Sequence, residues 1–148
     1  MVKIVVDTGA QTPYGGLGKF ADMKPSFVDH IVIGVQEISR TARFYEIFLG
    51  NPIHKDNESV AFQIGETKLF FLLPAGGFSR TDKDRGGLNH LAFGVRTVGQ
   101  LVMLEETLNR AKIKNSGVRI DPYGNKEFVW FDDPDGYRLE FYCRPDAD

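Results

Sequence analysis

The sequence contains a single cysteine, Cys143, so no disulfide can form within the chain and no thiolate cluster can hold zinc. Any metal bound here must be held by nitrogen and oxygen donors. Only three histidines, His30, His54 and His90, can offer imidazole nitrogen. No stretch approaches the roughly twenty consecutive apolar residues that cross a bilayer. The N-terminal apolar run, Ile4-Val5-Val6 after Lys3, is too short for the hydrophobic region of a signal peptide, and a cytoplasmic location is expected. An excess of one charge is also missing: 18 Lys and Arg stand against 20 Asp and Glu, with the basic residues scattered along the chain. That excludes the electrostatic footprint of a nucleic-acid binder and leaves small molecules and proteins as expected partners.

What is present describes one globular domain. A chain of 148 residues with 42% hydrophobic and 26% charged residues can bury a real core but not two independent ones. Positions 1–26 join a strand-like Val2-Lys3-Ile4-Val5-Val6 to a stretch containing Gly15, Gly16, Gly18 and Pro25, and read as an N-terminal extension or arm. Residues 27–148 form the domain proper, and it repeats itself. Val28-Asp29-His30-Ile31-Val32-Ile33-Gly34-Val35 matches Leu88-Asn89-His90-Leu91-Ala92-Phe93-Gly94-Val95, with His, Gly and Val in register. Each opening strand precedes a helical pattern: Ile38, Ala42, Tyr45 and Leu49 stopped by Gly50, then Leu101, Leu104, Leu108 and Ala111 with Gly117 beyond. Strand-like runs follow, Val60 to Ile64 and Lys68 to Leu73 in the first module, Glu127 to Phe131 and Tyr137 to Cys143 in the second. Asp133-Pro134-Asp135-Gly136 between the last two is a tight-turn signal. The expectation is an α+β fold of two βαβββ modules, one over about 27–75 and one over about 87–145. Aligning Lys68 with Arg138 makes Phe70 the counterpart of Glu140.

Side chains alternate across a strand, so parity sorts residues by face. Ile31, Ile33 and Val35, with Leu91, Phe93 and Val95, form the bulky face that helices should cover; Leu139, Phe141 and Cys143 join them. His30, His90 and Glu140 therefore share the opposite kind of face and are expected in one concavity with Arg138 and Tyr142. Phe70, Leu72, Phe128 and Trp130 are expected to line it, so an uncompensated carboxylate there would cost several kcal/mol, on the order of a lost charge partner. Two imidazoles and a carboxylate with open positions suit Fe(II), and equally Mn, Co, Ni or Zn. Glu127, Arg138, Tyr123 and Tyr142 are acid-base or anion-holding candidates, and Phe70, Phe128, Trp130 and Tyr123 are substrate-binding candidates. His54 lies outside the repeat pattern and reads as a surface residue.

These motifs resemble the vicinal oxygen chelate superfamily, which includes glyoxalase I, extradiol dioxygenases, fosfomycin-resistance enzymes and bleomycin-resistance proteins. The resemblance spans about Phe27 to Pro145. It rests on Asp29-His30-Ile31-Val32, Phe44-Tyr45-Glu46, Asn89-His90-Leu91-Ala92-Phe93 and Phe131-Asp132-Asp133-Pro134-Asp135-Gly136 followed by Leu139-Glu140-Phe141. It implies a cupped sheet, a divalent metal (Fe, Mn, Zn or Ni) on His30, His90 and Glu140, and a homodimer with sites shared between chains. It further implies an enzyme acting on a small substrate through vicinal oxygens, with dioxygenase chemistry slightly ahead of lyase, isomerase or thiol-transfer chemistry. The alternative is a metal-free binding protein of the bleomycin-resistance type. Two departures stand out. Glyoxalase I has a further glutamate ligand at about the place of Phe70, and extradiol dioxygenases typically have a tyrosine where this chain has Trp130.

Overall fold

The computed structural model describes residues 24–145, so the strand expected at Val2 to Val6 lies outside the described residues. The first module contains β1 (His30–Gly34), α1 (Ile38–Leu49), β2 (His54–Lys55), β3 (Ser59–Ile64) and β4 (Thr67–Leu72). The second repeats the order with β5 (His90–Val95), α2 (Val98–Arg110), β6 (Arg119–Ile120), β7 (Glu127–Asp132) and β8 (Arg138–Cys143). Each module folds into its own four-stranded mixed sheet, ordered β1-β4-β3-β2 and β5-β8-β7-β6. The two-module α+β architecture read from the repeat is therefore the one observed. The registers carry the repeat into space: β1 runs parallel to β4 with His30 opposite Lys68, and β5 parallel to β8 with His90 opposite Arg138. Lys68 and Arg138 are thus true counterparts, as are Phe70 and Glu140.

The strands β2 and β6 were not located by sequence pattern, because two residues are too few for an alternation to register. The first helix ends where the sequence indicates, before Gly50, and the second at Arg110, one residue short of the expected Ala111. Gly50 takes φ 76° just past α1, a conformation an L side chain resists, while Thr97 and Gln100 form a reciprocal capping box at the start of α2.

One continuous core joins the modules. Phe48 of α1 packs its ring 5.3 Å from Phe131 and 5.5 Å from Phe141, so the first helix serves the second sheet as well as its own. Polar contacts follow the same seam. The Tyr45 hydroxyl donates to Asp133 at 2.9 Å, Arg40 donates to Asp135 at 2.6 Å, and the Tyr137 hydroxyl donates to the Gly34 carbonyl at 2.9 Å. These bonds lock the β7–β8 turn against α1 and fix where β8 presents Glu140.

Asp133 in that turn is only 3% exposed, and burial pushes its carboxyl up to about 6 despite hydrogen bonds from Tyr45 and the Asp135 and Tyr137 amides. A raised acid pKa contributes stability below the unfolded value and loses it as pH rises through the folded one. Asparagine keeps the carbonyl acceptor for both amides. The stability of wild type relative to Asp133→Asn should therefore fall between pH 4 and pH 7 by up to about 3 kcal/mol. Urea unfolding across that range checks this; a pH-independent difference would contradict the burial account.

Candidate metal centre

The burial patterns obey the parity read from sequence. In β8 Leu139, Phe141 and Cys143 are buried while Arg138, Glu140 and Tyr142 are partly exposed, and in β5 Phe93 is buried while His90, Ala92 and Gly94 are exposed. Cross-strand register then writes the second sheet's open face as three rows: Asp132, Arg138 and His90; Trp130, Glu140 and Ala92; Phe128, Tyr142 and Gly94. Apart from Asp132, these rows floor an open cleft of about 840 Å³ whose wall includes Lys83, Asn89, Asp121, Tyr123, Gly124 and Arg144.

His90 and Glu140 meet in this cleft. His90 Nε2 lies 3.7 Å from Glu140 Oε2, with the glutamate side chain 18% exposed. Two donors each about 2.1 Å from a common ion stand about 3.0 to 3.4 Å apart, so a small side-chain adjustment would let one ion bridge them. The preceding residue holds each histidine in the same way. Nδ1 of His90 pairs with Asn89 Oδ1 at 2.7 Å, and Nδ1 of His30 pairs with Asp29 Oδ2 at 2.7 Å. A neutral imidazole donating from Nδ1 to these oxygens would leave Nε2 for an ion, which is the outer support metal-bound imidazoles use. The hydrogen bond from His30 also holds the Asp29 carboxyl below its usual range. The sequence signal for both supports is a hydrogen-bonding side chain, Asp29 or Asn89, directly before each repeated histidine.

His30 stands apart. It lies on the open face of the first sheet, its ring 6.0 Å from that of Phe70, and no residue of that sheet lines the cleft around Glu140. Among the described residues, no group of three or more His, Cys, Asp or Glu side chains comes together to hold an ion within one chain. The shared parity of the three expected ligands is real, but it is distributed over two sheets. Phe70 likewise lines the first sheet and not this cleft.

The other candidates divide. Arg138, Tyr142, Phe128, Trp130 and Tyr123 line the cleft, Tyr123 at its mouth and 98% exposed. Glu127 does not, correcting the expectation: it shares parity with the buried Val129 and Phe131, and so points toward the helix side. Tyr142 is committed, since its hydroxyl donates to Asp121, and that bond is the main reason its phenol is pushed up. It stays a neutral donor and cannot act as a base near neutral pH. Asp121 also accepts the Tyr123 and Gly124 amides, and a β-carbon on Gly124 would collide with the Tyr142 hydroxyl. Asp121-Pro122-Tyr123-Gly124 is a turn signature in the sequence that marks this wall. His54 is exposed as expected, yet it pairs with Ala61 and so shares the face of Phe70.

If Asn89 orients His90 for an ion, Asn89→Ala should weaken metal binding by roughly ten- to a hundredfold without unfolding the chain. Calorimetric titration with Zn(II) or Mn(II) measures it, and unchanged affinity would remove Asn89 from the site.

The family model described as the Glyoxalase/Bleomycin resistance protein/Dioxygenase superfamily matches residues 27–141. A curated relative, the uncharacterized protein YaeR of Escherichia coli K12, is 45% identical over 56 residues, which cover 38% of this chain and 41% of that protein. The match thus spans less than half the length of that relative. Among solved structures, a candidate glyoxalase from Bacillus halodurans superposes with a TM-score of 0.71 at 20% identity, over 80% of this chain and 96% of that one. A glyoxalase family protein from Enterococcus faecalis gives 0.64 at 25% identity, over 79% and 97%.

Proposed function

Because this chain belongs to the glyoxalase/bleomycin resistance protein/dioxygenase superfamily, we propose that it is a metal-dependent enzyme acting on a small substrate bound through vicinal oxygens. The observation that carries this reading is the paired His90 Nε2 and Glu140 Oε2, with His90 and His30 both held through Nδ1 by the residue before them. A divalent ion held there, Fe, Mn, Zn or Ni, would supply Lewis-acid chemistry, and three protein ligands would leave room for a substrate that chelates through two oxygens and for one further small molecule. On that ligand count, oxygen-dependent cleavage ranks slightly ahead of lyase, isomerase and thiol-transfer reactions.

The remaining residues bind and orient. Phe128 and Trp130 give planar apolar surface, and Tyr142 holds a neutral phenol on the same face. His30 is supplied by a second copy in this reading: a homodimer would bring His30 of one protomer to His90 and Glu140 of its partner. The open face of the first sheet supports it, for Val32 is 50% and Leu72 36% exposed on the face that carries His30. One observation favours the rival reading, a metal-free binding protein, namely that only two of the three donors meet within a chain. Reconstitution with Fe(II), Mn(II), Ni(II) or Zn(II), followed by assay on catechols, methylglyoxal hemithioacetal and fosfomycin, distinguishes them. Turnover that depends on an added ion supports the enzyme; ligand binding indifferent to every ion supports the binder.

A further inference from the structure

Arg138 is opposite His90 in the β5–β8 register and two residues before Glu140, so its side chain rises from the same face as both. Two contacts fix its guanidinium. Nε donates to Asp132 Oδ1 at 2.6 Å, and the central carbon lies 4.0 Å from the centre of the Trp130 ring. An in-plane bond on one edge and an aromatic ring on one face leave the group little freedom to turn. The side chain is 18% exposed, yet among the described residues Nη1 and Nη2 have no hydrogen-bond partner. Held in place yet open to solvent, these N–H donors suit a partner that supplies two acceptors in one plane.

The charges around the cleft point the same way. Lys83, Arg138 and Arg144 line it against the carboxylates of Asp121 and Glu140. Lys83 pairs with Asp84 and Arg138 with Asp132, while Asp121 is occupied by Tyr142 and two backbone amides. With Glu140 assigned to a divalent ion, the ion and Arg144 outweigh Glu140 and Asp121 by one charge, so the cleft stays positive and favours an anionic substrate.

We propose that the substrate carries a carboxylate of its own, apart from the oxygens that chelate the ion, and that Nη1 and Nη2 of Arg138 hold it end-on as a bidentate pair. The inference rests on the metal reading above and names its substrate class: a 2-hydroxy or 2-oxo acid with a second carboxylate. Residues two apart on a strand are separated by about 7 Å, which points to a short acid of about four or five carbons.

Malate and 2-hydroxybutyrate test it, since they share the chelating end and differ in having a carboxylate or a methyl at the other. Protein loaded with Co(II) is titrated with each acid and followed by visible absorption, for wild type, Arg138→Gln and Arg138→Lys. Wild type should bind malate at least roughly tenfold more tightly than 2-hydroxybutyrate. Arg138→Gln should abolish that preference by weakening malate far more than 2-hydroxybutyrate, and Arg138→Lys, with charge but no fork, should keep only part of it. Equal affinities in wild type, or an undiminished malate preference in Arg138→Gln, would overturn the carboxylate site. Failure of Co(II) to bind would instead count against the metal reading. The metal-free protein then decides the carboxylate site through the emission of Trp130, the sole tryptophan. A malate-selective change that Arg138→Gln abolishes supports the site, and no change in wild type overturns it.

Discussion

Mixing His30→Ala chains with Glu140→Ala chains should restore metal sites that neither variant forms alone. In a dimer with shared sites, each mixed pair has one site lacking both ligands and one site lacking neither. Free exchange at equal amounts makes half the dimers mixed, so about a quarter of the wild-type site count should return. The expectation follows from the separation of His30, on the first sheet, from the His90 and Glu140 pair on the second. Metal content after demonstrated chain exchange is the readout. No recovery would mean that the site is not shared between chains, and full metal content in His30→Ala alone would mean that His30 is not a ligand.

Glu140→Ala should lower metal affinity by at least about a hundredfold, more than the loss of a supporting residue such as Asn89. Glu140 is the carboxylate beside His90, flanked in register by Trp130 and Ala92, neither of which can replace it. An ion that binds only the folded state raises its stability by mass action, so wild type should melt higher in excess Zn(II) or Mn(II). Glu140→Ala should show little of that rise. An equal metal-induced shift in the variant would take Glu140 out of the centre.

The elements that repeat were legible because repetition doubles a weak signal. The His30 and His90 strands could be matched position by position, and the Lys68 to Arg138 alignment proved to be the physical register of both sheets. Parity then sorted Arg138, Glu140 and Tyr142 from Leu139, Phe141 and Cys143 correctly. It also places Glu127 on the helix side with Val129 and Phe131, against the expectation drawn from its chemical type alone. Parity also gives only the face of a sheet, never which sheets lie together, and so could not separate His30 from Glu140. The supporting bonds were hidden for another reason. Asp29 and Asn89 act on their own sequence neighbours, and Asp121 reaches Tyr142 across a loop whose path no periodicity encodes.

The metal content of the purified protein tests the central claim most directly. Wild type and a His90→Ala/Glu140→Ala double variant would be dialysed to equilibrium against the same divalent ion, and bound metal counted per chain by elemental analysis. The account predicts close to one ion per wild-type chain, on the order of a single His-and-carboxylate site, and almost none in the variant. The same low content in both would contradict it and leave the cleft to a metal-free ligand.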